Sequence, residues 1–203
     1  MKILLMGPQG CGKGTIGEML SQRLGIPLIG VGQLLRDIPQ THPLYTELHE
    51  AMDKGILAPN DKVAQLLKER TSLLDCNNGY ILDGWGRQIS DLEQFNPGFD
   101  VVLNISISEG TSIKRISGRR MCTSNGKIYN IYTLPKEMLA ECKGELVQRS
   151  DDTEEAVKTR LSIYYSETQE VLAYFREKGI LREIDGEGTP DEVFDLALKA
   201  LNS

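Results

Sequence analysis

Apolar and polar positions along this chain repeat with two different periods, and each change of period marks an element. Ile3-Leu4-Leu5-Met6 is an unbroken apolar run of strand length, the pattern of a strand buried on both faces. From Ile16 the repeat turns helical, with Ile16, Met19, Leu20 and Leu24 on one face. Pro27 to Val31 predicts a second strand, Gly32 to Ile38 a short helix carrying Arg36, and Leu44 to Lys54 a helix that follows the His42-Pro43 break and stops at Gly55. Leu57 to Pro59 cannot be helical. Asn60 or Asp61 is placed to cap a helix whose inward positions are Val63, Leu66 and Leu67. Tyr80-Ile81-Leu82-Asp83 reads as a third strand and Val101 to Ile107 as a fourth. A helix from about Gly110 would set Arg115 and Arg119, four apart, on one face. The long helix after Asp151-Asp152 carries the apolar stripe Val157, Leu161, Tyr164, Thr168, Leu172, Phe175. Strands alternating with helices predict an α/β fold with a parallel sheet, which binds ligands beyond the carboxyl ends of its strands.

The first strand runs into Gly7-Pro8-Gln9-Gly10-Cys11-Gly12-Lys13-Gly14-Thr15. Glycines at 7, 10, 12 and 14 let the backbone curl until several N–H groups face one concavity, and Lys13 and the following helix N-terminus add positive charge there. Gly7, four residues, Gly12, Lys13 is the first two thirds of the P-loop pattern; Gly14 stands where Ser or Thr is asked for, and Thr15 comes one place later. Asp83, at the tip of a predicted strand, is placed to hold the water shell of Mg²⁺ beside bound phosphates. Arg36, Arg87, Arg115, Arg119, Arg149 and Arg160 make a second constellation, suited to phosphoryl transfer, which asks mainly for positive charge around the phosphate oxygens.

The 203 residues fit one domain with insertions, and 40% hydrophobic with 26% charged residues is ordinary globular composition. A net charge of −6 excludes general affinity for nucleic acid or anionic membranes, so an anionic substrate must be met by local arginines. No apolar run reaches transmembrane length, and Met1-Lys2 leads straight into the first strand, which predicts a cytoplasmic protein. Cys11, Cys76, Cys122 and Cys142 form no CxxC pair and are expected to be free thiols. Cys11, beside Lys13 at a helix start, is expected to alkylate easily unless nucleotide protects it. His42 and His49 read as surface positions.

Gly10 to Thr15, Leu35-Arg36, Asp53-Lys54-Gly55, Asp83-Gly84-x-x-Arg87, Arg115-x-x-x-Arg119-Arg120, and Gln148-Arg149-x-Asp151-Asp152 with Arg160 together resemble adenylate kinase, in order along nearly the whole chain. The resemblance implies a P-loop three-layer sandwich with a five-stranded parallel sheet. The core would be 1–30, 58–118 and 153–203, with a helical monophosphate-binding insert at 31–57 and a lid at 119–152. It implies reversible phosphoryl transfer from MgATP to AMP, giving two ADP; a monomer is expected. By the same resemblance Gly10, Cys11, Gly12, Lys13, Gly14, Thr15, Arg115, Arg119, Ile128, Tyr129 and Gly188 surround ATP. Val31, Arg36, Ile56, Leu57, Ala58, Gly84, Trp85, Gly86, Arg87, Asp91, Arg149 and Arg160 surround AMP. Lys13, Asp83, Arg87, Arg119, Arg149 and Arg160 would act on the transferring group.

The departures from that family are specific. Val31 replaces a Thr, and Asp91 replaces a Gln that reads adenine; a carboxylate offers only acceptors, which suits guanine better. A monophosphate kinase of altered acceptor preference (GMP, CMP or UMP) is therefore one rival reading, and a slow nucleotide-dependent switch is another. Gly86 replaces a Pro, so the turn carrying Arg87 is expected to be built differently. Some relatives bind zinc in the lid, but Cys122 and Cys142 with Asn125 and Glu145 make a poor ligand set, so no structural zinc is expected there.

Overall fold

The computed structural model describes residues 1–53, 58–148, 152 and 154–202, without the side chains of residues 52, 53, 156, 160 and 163. The strands are β1 (Lys2–Met6), β2 (Leu28–Gly30), β3 (Tyr80–Asp83), β4 (Val101–Ser106), β5 (Arg119–Cys122), β6 (Ile128–Asn130), β7 (Leu146–Val147) and β8 (Leu181–Asp185). The helices are α1 (Lys13–Leu24), α2 (Val31–Asp37), α3 (Tyr45–Asp53), α4 (Asn60–Thr71), α5 (Ile89–Gln94), α6 (Glu109–Ser117), α7 (Lys136–Leu139), α8 (Glu154–Glu177) and α9 (Pro190–Leu201).

One sheet has the order β2-β3-β1-β4-β8, parallel at every pairing. Because side chains alternate along a strand, each central strand feeds two cores. Leu4, Met6, Tyr80, Leu82 and Val102 pack on one face with α4, α5 and α8 through Leu67, Leu92 and Phe175. Ile3, Leu5, Ile81, Leu103 and Ile105 pack on the other with α1 and α9 through Ile16, Leu20, Val193 and Ala197. The unbroken apolar run of β1 thus reflects a strand covered on both sides, and the three layers follow from it.

Two smaller units project from this core. Ile38, Leu44 and Leu48 pack on Leu66 of α4 in a cluster of their own, which seats α3 beside α4. Strands β5, β6 and β7 form a separate antiparallel sheet in the order β6-β5-β7.

Several expectations need correcting. Arg119 does not share a helix with Arg115: α6 stops at Ser117, and Arg119 opens β5. The break lies at Gly118, where a Cβ would stand 2.5 Å from Tyr132 Cδ2 and 2.6 Å from Asn130 Oδ1. Asn60 and Asp61 are the first residues of α4; Pro59 holds the cap position and no side chain caps there. The second strand ends at Gly30, and Val31 already begins α2. Cys122 and Cys142 are bonded to each other as a disulfide, leaving Cys11 and Cys76 as the free thiols. The histidines are not plain surface groups. The His42 ring bonds the Glu69 carboxylate at 2.8 Å while its Nδ1 accepts from the Leu44 N–H, and His49 stacks on Tyr45.

Candidate active site

The loop from Gly7 to Gly12 joins β1 to α1 through left-handed turns at Gly10 (φ 81°) and Gly12 (φ 94°). At Gly7 the limit is space: a Cβ would lie 2.3 Å from the Ile105 carbonyl oxygen on neighbouring β4. Ser112 of α6 donates its hydroxyl to the Gln9 carbonyl, so a second element holds the loop from outside. Lys13 folds back over the loop, with Nζ donating to Gly7 O at 2.7 Å and Pro8 O at 3.0 Å. Its ammonium therefore sits at the mouth of the concavity formed by the curled backbone. Cys11 is 2% exposed, with Sγ 3.5 Å from Lys13 Nζ; that burial runs against the expected easy alkylation.

β3 lies beside β1, and its last residue, Asp83, is half-buried at the same end of the sheet. Burial holds its carboxyl above the ordinary range, even though the positive charges of Lys13 and Arg87 act in the opposite direction. A carboxylate held between cations and making no ion pair among the described residues is a fitting oxygen donor for the water shell of a divalent cation accompanying phosphates.

After Asp83 the chain turns through Gly84 (φ 88°) and Gly86 (φ 71°), and no peptide bond among the described residues is cis. The turn that carries Arg87 is thus built around two left-handed glycines. Trp85 between them is buried and donates Nε1–H to Phe95 O at 2.9 Å. The Arg87 side chain is exposed. Asp91 is buried in the first turn of α5, its Oδ2 accepting from the N–H groups of Arg87 (2.8 Å) and Gln88 (3.2 Å). Val31 packs above Gly84, where a Cβ would lie 3.6 Å from its own. Arg36 is exposed on α2 and bonds Gln33 Oε1 at 2.8 Å. Ala58 packs at the edge of the core beside α4.

On the far side of the glycine loop, Arg115 reaches across from α6 to the segment after β8. It donates to Gly186 O at 2.9 Å and to Glu187 O and Gly188 O, both at 3.2 Å. Glu187 braces that segment by accepting from Ser108 N and the Thr111 hydroxyl, each at 2.6 Å, which holds its carboxyl below the usual range. Arg119 forms a two-pronged pair with Asp152, which is 1% exposed. In β6 the side chain of Ile128 is about half exposed, whereas Tyr129 is buried and its hydroxyl accepts from Asn125. Of that pair only Ile128 presents a side chain outward.

Ile56, Leu57 and Arg149 lie outside the described residues, as does the side chain of Arg160. Of the remaining site residues, the structure brings Lys13, Asp83 and Arg87 to one end of the sheet, with Arg115 flanking the loop. Asp152 was visible in the sequence only as part of a quoted motif. Ser112, Glu187 and Glu167, which accepts from Gln88 Nε2, went unread, because their partners are 76 to 103 residues away in the chain.

A buried parallel strand, a glycine loop with its lysine, an acidic strand tip and flanking arginines form a phosphate-handling site. Comparison with known proteins agrees. The adenylate kinase family profile matches residues 5–180. An adenylate kinase of Methanocella arvoryzae is 41% identical over 204 residues, covering 95% of this chain and 94% of that protein. Those of Thermodesulfovibrio yellowstonii and Archaeoglobus fulgidus are 38% and 39% identical, covering 96% and 92% of this chain and 96% and 91% of theirs. A glycine loop and sheet of this kind, matched over nearly the full length of both partners, make this chain a phosphotransferase that belongs to the adenylate kinase family.

Proposed function

We propose that this chain transfers a phosphoryl group reversibly from MgATP to AMP, giving two ADP. The observation that carries the reading is the convergence of the Lys13 loop, Asp83 and Arg87 at the carboxyl ends of adjacent parallel strands, in a chain of this family. In this reading residues 31–57 are the monophosphate-binding insert and residues 119–152 the lid. ATP is held by Gly10 to Thr15, Arg115, Arg119, Ile128, the backbone at Tyr129 and Gly188. AMP is held by Val31, Arg36, Ile56, Leu57, Ala58, Gly84 to Arg87, Arg149 and Arg160. The net charge of −6 supports a partner list of nucleotides alone, and the enzyme is read as a cytoplasmic monomer. No helix among the described residues is long and apolar enough to cross a membrane.

The acceptor is itself a phosphate oxygen, already ionised at neutral pH, so no general base is required. Lys13, Arg87, Arg119, Arg149 and Arg160 oppose the negative charge on the transferring group and its neighbours. The loop N–H groups orient the donor phosphates. Asp83 would receive Mg²⁺ through water; when bound, the ion neutralises charge on the bridging phosphate oxygens. Water is the competing acceptor, and closing residues 119–152 over the site excludes it. Neither an altered acceptor nor a switch is favoured: the relatives covering nearly the whole chain are named adenylate kinase, and one oxygen of Asp91 is engaged by backbone.

The test is ADP formation from saturating MgATP and AMP, with GMP, CMP and UMP as parallel acceptors. Two ADP per turnover and a strong preference for AMP are expected; no diphosphate from any acceptor overturns the reading.

A further inference from the structure

Arg87 is reached through two swivels. Gly84 and Gly86 both have positive φ, and glycine is the residue with most backbone freedom to lose. A guanidinium that must meet a phosphate within a fraction of an ångström cannot hang from such a segment unless the backbone is fixed on both sides. One anchor is Trp85, buried with its indole N–H on Phe95 O. The other is the start of α5, where the Asp91 carboxylate accepts the Arg87 and Gln88 N–H groups. There the Asp91 N–H in turn donates to the Gln88 main-chain carbonyl at 3.1 Å, closing the first turn of α5. Gln88 Nε2 also donates to Glu167 Oε2 at 2.7 Å, tying the turn to α8.

Building on the functional reading above, we propose that Asp91 is a positioning residue for Arg87: it acts through the backbone of the Arg87 turn and not on the base of the acceptor. Its exposure of 5% leaves little of the residue for a base to touch, and Oδ2 is committed to two backbone donors. Among the described residues Oδ1 has no hydrogen-bond partner, so the bonds this side chain makes there all run through Oδ2. In this chain a carboxylate at that place compensates for glycine at 86, because it locks by hydrogen bonds the backbone that the glycine leaves free.

The experiment compares wild type, Asp91→Ala and Asp91→Asn, with AMP and with CMP as acceptor at saturating MgATP, and a melting curve on each protein. Positioning predicts that D91A lowers kcat/KM by the same factor for both acceptors, about 10- to 100-fold, with KM for ATP unchanged. D91N keeps an acceptor oxygen and is expected to recover to within about threefold of wild type. Should D91A melt below the assay temperature, Asp91→Ser, with a shorter acceptor, is expected to show the same base-independent loss in smaller degree. A D91A protein within about threefold of wild type, or a loss that changes the AMP-to-CMP ratio, overturns the proposal. An inactive wild type would instead sink the functional reading and the proposal with it.

Discussion

Arg119 and Asp152, 33 residues apart in sequence, meet in a two-pronged ion pair, with Arg119 Nε donating to Asp152 Oδ2 at 2.8 Å. The Asp152 side chain is wholly buried while 23% of the Arg119 side chain remains exposed. The pair therefore has a structural end and a solvent end. Gln148, donating to the Asp152 carbonyl at 3.0 Å, fixes the backbone at the same point.

Removing Arg119 strands a buried carboxylate, whereas removing both partners does not. Arg119→Ala is expected to destabilise the protein by about 3 kcal/mol, near the low end for breaking a buried pair because Arg119 is partly solvated. Adding Asp152→Ala should recover most of that stability and none of the turnover. Denaturant unfolding beside a kcat measurement separates the two effects; a double variant no more stable than R119A would contradict the pairing argument.

Lys13→Met and Arg87→Ala are expected to lower kcat by about 10²- to 10³-fold each while leaving circular dichroism and melting close to wild type. Arg87 is exposed, and the Lys13 bonds to Gly7 O and Pro8 O lie at a loop mouth where water can replace them. Near-normal turnover in either variant would remove that residue from the mechanism.

The core was legible because its signals are local. The apolar runs of β1, β3 and β4 and the stripe from Val157 to Phe175 state their burial directly, and the structure buries their apolar residues except Val101 and Tyr164, which are partly exposed. Lys13, Asp83 and Arg87 could be placed because each sits just past a readable strand or on a named loop pattern. Most of what failed needed distant partners. The placing of Arg119 on a helix is the exception, since Gly118, the C-cap of α6, was a local stop signal; only its closeness to Tyr132 and Asn130, which leaves no room for a Cβ, lay out of reach. Strands β5 to β7 are two to four residues long and partly polar, too short for a period to register. The disulfide joins cysteines 20 residues apart, a pairing that spacing alone does not specify.

Acid should loosen the attachment of α3 to α4. The hydrogen bond from His42, and after it one from Gln65, holds the Glu69 carboxyl below its ordinary value of 4.5. A carboxylate depressed in the folded state contributes stability that is present above 4.5 and is lost as pH falls through the lower folded value. Between about pH 6 and about pH 3 the wild-type melting temperature should therefore fall further than that of Glu69→Gln. Parallel curves for the two proteins would show that the His42–Glu69 contact adds nothing; because Glu69 is 48% exposed, the difference is expected to be small.

Two glycines of the phosphate loop should respond differently to alanine. Gly12 has φ 94° but open space where a Cβ would go, so Gly12→Ala is expected to cost only the left-handed strain, about 1–2 kcal/mol. At Gly7 the new carbon would strike the Ile105 carbonyl at 2.3 Å, and relieving that contact means moving β4. Gly7→Ala should exceed about 4 kcal/mol or fail to yield folded protein. Equal unfolding midpoints for the two variants would argue against this loop geometry.

The disulfide makes the most direct analytical prediction. Denatured without reductant, the protein should titrate two thiols, those of Cys11 and Cys76; after reduction it should titrate all four. The bond closes a segment containing β6 and α7, and constraining a loop of that length is worth about 3 kcal/mol through the unfolded state. Cys142→Ser should thus lower the stability of residues 119–147, read by faster amide exchange in β5 and β6, while exchange in β1, β3 and β4 stays slow because their packing does not involve the bond. Four thiols in the unreduced protein, or exchange in β5 and β6 indifferent to the substitution, would show that these two cysteines are not joined in solution.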